Sequence, residues 1–67
     1  MNGFDFIKKM EYIITMLEEK GYNPYEQLAC YVLLQGNQNY ITSHGGARSL
    51  IRELDLNDIN EYLRIKT

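Results

Sequence analysis

The stretch GYNPYEQLACYVLLQG, residues 21–36, decides how this chain folds. It opens on a Gly-Tyr-Asn-Pro turn, closes on Gln-Gly, and is apolar on nearly every side in between. Asn23 can accept hydrogen bonds from the free amides at a helix start, and Pro24 at the first helical position has no N–H to leave unpaired. A helix over residues 24–34 follows, with Gly36 stopping it. Leu28, Ala29, Val32 and Leu33 would then face one neighbour, and Tyr31 and Leu34 another. Such a helix, apolar all round, is normally buried. The alternative on propensity is a strand over residues 29–34.

The chain has 67 residues, enough for a single domain over residues 1–67. A chain this short buries a smaller share of its surface than a typical domain, and such domains lean on disulfides, metals or a partner subunit. Cys30 is the only cysteine, so no disulfide forms within one chain. One Cys and one His show no zinc-ligand spacing. A partner subunit remains. The excess apolar surface on the second helix predicts a homodimer, with Tyr25, Leu28, Tyr31 and Val32 in its interface.

Outward from this stretch, periodicity predicts three more helices. Phe6, Ile7, Met10, Ile13, Ile14 and Leu17 recur at helical steps, and Gly21 ends that helix. A polar turn spans residues 35–39. Thr42 or Ser43 then caps a third helix whose inner face is Ala47, Leu50, Ile51 and Leu54. Asp55 or Asn57 caps a last one with Ile59, Tyr62 and Leu63 inward. Early Asp58 and Glu61 and late Arg64 and Lys66 suit its dipole. The expected fold is all-α, a bundle of about four short helices.

Charge narrows the function classes. Seven basic and nine acidic residues are interspersed, for a net charge of −2, which argues against a nucleic-acid field over the whole surface. No apolar run approaches the roughly 20 residues that cross a bilayer, so no membrane insertion is expected. The N-terminus lacks the features of a signal peptide, and a cytoplasmic location is the default. No nucleophile–base pair, metal spacing or cofactor fingerprint stands out, so neither an enzyme nor a cofactor is expected.

Arg48 and Arg52, four residues apart, share a helical face that can clamp carboxylates or phosphates. Paired with nearby acids, the same residues would make an ordinary solvated face. The segment Thr42-Ser43-His44-Gly45-Gly46-Ala47-Arg48 could hold an anion at a helix start. Its glycines lack phosphate-loop spacing, and the plainer reading is a capped helix whose glycines allow close packing. His44 has no evident catalytic partner and reads as a structural or partner-contact residue. Cys30 reads as a buried thiol. The tyrosines at 22, 25, 31, 40 and 62 suit a thin core or an interface.

Taken together, Glu19-Lys20-Gly21-Tyr22-Asn23-Pro24, then Gln27, Tyr31 and Leu33, then Gly36, Tyr40-Ile41, His44, Ala47-Arg48 and Ile51-Arg52 resemble the IreB family over roughly residues 7–65. The resemblance implies a non-enzymatic, cytoplasmic, all-helical homodimer of Gram-positive bacteria. It also implies signalling from a membrane Ser/Thr kinase with extracellular PASTA domains, control of cell-wall synthesis and cephalosporin resistance, and influence on the turnover of a peptidoglycan-committing enzyme. Arg48, Arg52 and His44 are carried over as partner contacts. The family's phosphorylated threonines lie in an N-terminal arm with no counterpart here, since no Ser or Thr precedes Thr15. A member that no longer answers to the kinase is one consequence. The sequence also departs at Gly36-Asn37-Gln38-Asn39, at Ser43 and at residues 55–58. From a different class, the alternative is a helix-turn-helix DNA-binding domain with Arg48, Ser49 and Arg52 in the major groove.

Overall fold

The computed structural model describes residues 3–37 and 40–66, and among these it contains four α-helices and no strand. α1 spans Gly3–Glu19, α2 Pro24–Leu33, α3 Ala47–Ile51 and α4 Leu56–Lys66; a 3₁₀ turn at His44–Gly46 leads into α3. The strand alternative at residues 29–34 is thereby set aside. Residues 38 and 39 of the polar turn lie outside the described residues, as do Met1 and Asn2.

The stripe Phe6, Met10, Ile13, Ile14 and Leu17 drives α1 into the core. Ile7, expected with them, stays half exposed at the edge of that stripe. At the helix end the amides of Lys20, Gly21 and Tyr22 return to the carbonyls of Leu17, Glu18 and Leu17. Gly21 takes φ 83° there, a left-handed conformation that costs glycine little.

α2 begins as its sequence dictates, with Asn23 Oδ1 accepting from the Glu26 amide at 3.2 Å and Pro24 inside the first turn. Its close differs slightly from expectation. The last helical residue is Leu33, and Gln35 and Gly36 both take positive φ, so that the Gly36 amide reaches the Tyr31 carbonyl at 2.9 Å. Only Pro24, Leu28 and Tyr31 are buried, at the spacing of a single face. Ala29, Leu33 and Leu34 are exposed, because the chain has no further layer to lay over them. α4 is capped by Asp55, whose Oδ1 accepts from the Asn57 amide at 2.7 Å.

α1 packs against both α2 and α3, and α2 packs against α4. Met10, Ile13 and Leu17 meet Leu28, Ile41, Ile51 and Ile59 in the fully buried centre. Phe6 and Tyr62 join α1 to α4 edge to face, with ring centroids 6.1 Å apart. The radius of gyration, 10.6 Å, is close to the ~11 Å of a folded chain this long. No buried side-chain polar atom lacks a hydrogen-bond partner among the described residues.

Burial pushes the Tyr31 phenol above its ordinary value, against a smaller downward pull from Arg52. Burial also raises Tyr62, helped by Tyr25 and then Glu11. The folded state therefore holds these two protons more tightly than the unfolded chain. That contribution to stability is complete below the unfolded value of about 10 and is lost as pH rises through the higher folded values. Absorbance titration of the phenolates should show two late tyrosines of the six, with stability falling over the same alkaline window. Six tyrosines ionising together near pH 10 with unchanged stability would contradict this packing.

Candidate functional site

The chain between α2 and α3 is moored to the outer flank of α1. Tyr12, Met16 and Glu19 recur at four- and three-residue steps and so share one side of that helix. Each holds part of the turn. The Tyr12 hydroxyl donates to the Gly45 carbonyl at 2.6 Å. Glu19 Oε1 meets His44 Nε2 at 2.8 Å. Met16 fills the space above Gly45 so completely that a Cβ at that position would overlap its sulfur. Gly45 and Gly46 have φ 61° and 79°, and these successive left-handed residues reverse the chain and aim Ala47 into the core.

The expected cap is only partly present. Thr42 Oγ1 accepts from the His44 amide at 3.2 Å, a bond that shapes the 3₁₀ turn. Ser43 makes no capping bond, and the residue preceding α3 is Gly46. Neither hydroxyl caps α3, because the two glycines intervene.

From the first turn of α3 the half-buried Arg48 reaches back and donates from Nε to the carbonyl of buried Ile41 at 2.8 Å. This bond fixes the plane of the guanidinium, whose other donors keep their fork geometry. Arg48 lines a notch of about 290 Å³ together with Tyr22, Gln27, Tyr40, Ile41, Thr42 and Ser43. Among the described residues lining it, none is a carboxylate. A fixed cation surrounded by hydroxyls and an amide suits an incoming carboxylate or phosphate.

The predicted contact residues are thus divided. Arg48 lines the notch. Arg52 is exposed beyond it, without a hydrogen bond or ion pair among the described residues, and its charge is felt by the Tyr31 phenol. His44 is engaged with Glu19 and does not line the notch. Tyr22 and Tyr40 were legible as tyrosines suited to a thin core or an interface, and Gln27 only as part of the family pattern; nothing in their spacing marks them as neighbours of Arg48.

The expected dimer residues divide as well. Leu28 and Tyr31 are 0% and 4% exposed within one protomer, so they have no surface left for a partner. They are spent on the core face of α2. Tyr25 and half-buried Val32 do reach the surface, joined by Leu33, which is 79% exposed, and by Leu34.

α3 is five residues long and Arg48 is partly committed to Ile41, so the arrangement offers no extended recognition helix. No helix among the described residues is long and apolar enough to cross a membrane. No group of three His, Cys, Asp or Glu residues among them could hold a metal ion.

A family model described as IreB regulatory phosphoprotein matches residues 4–66. The match covers nearly the whole chain, and the chain belongs to the IreB family of regulatory phosphoproteins.

The two glycines separate backbone strain from crowding. Gly46→Ala meets no atom within 4 Å and should cost only the left-handed penalty, about 1–2 kcal/mol. Gly45→Ala must also turn the Met16 side chain aside and should cost more, by about another 0.5–1.5 kcal/mol. Urea denaturation of both variants gives the comparison, and equal losses would mean that the turn does not press on α1.

Proposed function

We propose that this member of the IreB family is a non-enzymatic, cytoplasmic, homodimeric regulator that acts by binding other proteins. Its setting would be Ser/Thr-kinase control of cell-wall synthesis and cephalosporin resistance in a Gram-positive bacterium. Family membership supports the regulatory role. The protein-binding reading is carried by one observation: Arg48 is held by a main-chain carbonyl in a notch whose described lining residues include no acid. An acidic side chain of a partner can complete that notch, with Tyr22, Tyr40 and Gln27 as neutral neighbours. Arg52, one turn further on, adds charge beside it. His44 supports the same face by anchoring the turn to Glu19.

Dimerisation is supported by the outer face of α2. Tyr25, Ala29, Val32 and Leu33 line a recess of about 280 Å³ shared with Asn60, Leu63 and Arg64 of α4. Leu33 at its edge is almost fully exposed in one protomer. A second copy covering this face would relieve the chain's main apolar excess. Thr15 is not a convincing phosphoacceptor in the folded protein, because its Oγ1 is bonded to the Glu11 carbonyl within α1 at 2.9 Å.

Leu33→Glu should convert the dimer to a folded monomer, read by sedimentation at tens of micromolar with the helical circular dichroism retained. A wild-type monomer at that concentration would remove the dimer. In pull-downs from a cytoplasmic extract, Arg48→Ala/Arg52→Ala should lose proteins that the wild type retains. Arg52→Ala alone should change stability by no more than about 0.5 kcal/mol, so its share of the loss reports on binding. Identical captured proteins for all forms would refute the arginine face.

A further inference from the structure

We propose a second docking site, for a basic amphipathic helix of a partner protein, in the groove between the start of α1 and the end of α4. The groove has a volume of about 260 Å³ and is walled by Gly3, Phe6 and Ile7 on one helix and Asp58, Glu61, Tyr62 and Ile65 on the other. Its floor is the Phe6–Tyr62 edge-to-face pair. Its walls are apolar and open: Ile65 is 77% exposed, Ile7 is half exposed, and the neighbouring Phe4 is 64% exposed. The two helices meet here through the Phe6–Tyr62 pair, and between their walls the side-chain ridge of a third helix can lie.

Charge selects the occupant. Among the described residues lining the groove there are two acids and no base. Asp58, Glu61, Tyr62 and Ile65 follow helical steps along one side of α4, so a row of acids runs beside an apolar stripe. The complement is a helix with apolar residues at three- and four-residue steps and Lys or Arg flanking them. Lys8 does not spoil this match, because it lies 4.7 Å over the Phe4 ring, outside Ile7 on the helical wheel.

A second copy of this chain fits poorly. Its exposed apolar face on α2 carries Glu26 and no Lys or Arg of its own, and Arg64 of α4 is the single base among the described residues lining that recess. Pairing the groove with itself about a two-fold axis would set Asp58 and Glu61 against their own copies, and like charges across an interface are costly. Gly3 lines the mouth of the groove, and a Cβ there would meet nothing within 4 Å. A larger residue at that position can therefore plug the groove without disturbing the fold.

The probe is a synthetic Leu/Lys peptide of about 14 residues, with leucines at i, i+3, i+4 and i+7, set against its Leu/Glu counterpart. It is titrated into ¹⁵N-labelled full chain at low salt. Saturable shifts should appear on Gly3, Phe6, Ile7, Glu61, Tyr62 and Ile65 with the Leu/Lys peptide and not with Leu/Glu. Glu61→Lys and Gly3→Leu should each weaken binding at least about tenfold while the melting temperature stays level or rises. Shifts centred elsewhere, or unchanged affinity in both variants, would overturn the proposal. So would concentration-dependent shifts of the protein alone over these residues, because a second copy would then occupy the groove.

Discussion

The contact of Gly45 with α1 is the constraint on which the rest of the candidate site depends. Nothing larger than a hydrogen fits between this turn and Met16, and the Tyr12 hydroxyl fastens the carbonyl beside it. A five-residue helix has no stability of its own, since nucleation outweighs so few hydrogen bonds. α3 exists because the moored turn delivers Ala47 and Ile51 to the core. With α3 in place, Arg48 can reach back to Ile41 and close the wall of the notch. A steric contact on one face of α1 thus determines where a cation stands on another part of the surface.

The shortness of the chain has a second consequence. One layer of buried residues is assembled around α1 from the inner faces of α2, α3 and α4, and no element among the described residues covers the outside of α2 or the channel between α1 and α4. The resulting surfaces differ in chemistry. The notch holds a cation and hydroxyls, the channel is apolar with an acidic edge, and the outer face of α2 is apolar with tyrosine at its rim. Surfaces of such different chemistry would prefer different occupants.

What could be read from the sequence was the local part. The Phe6-to-Leu17 spacing, the Asn23-Pro24 cap and the Asp55 cap each depend on residues a few positions apart, and each appears where expected. Close packing of the glycine pair was legible too, but not which glycine was crowded. That depends on Met16, nearly thirty residues away. The same distance hid the Glu19–His44 pair and the meeting of Tyr22, Gln27 and Tyr40 around Arg48. Leu28 and Tyr31 were placed in a dimer interface although one protomer buries them, because an all-apolar helix does not announce which side its own chain will cover. The family pattern held Tyr22, Gln27, Tyr40 and Arg48 in one motif, without the geometry that relates them.

The pre-positioned arginine is tested most directly by the exchange of its own side-chain proton. In a ¹H–¹⁵N spectrum of the arginine Nε–H groups at mildly acidic pH, Arg48 should give a resolved signal that exchanges with water far more slowly than exposed Arg52. Gly45→Ala should erase that difference. An Arg48 signal already as fast as that of Arg52 in the unaltered protein would mean that the guanidinium is not held, and that the notch is not built to receive an acidic partner.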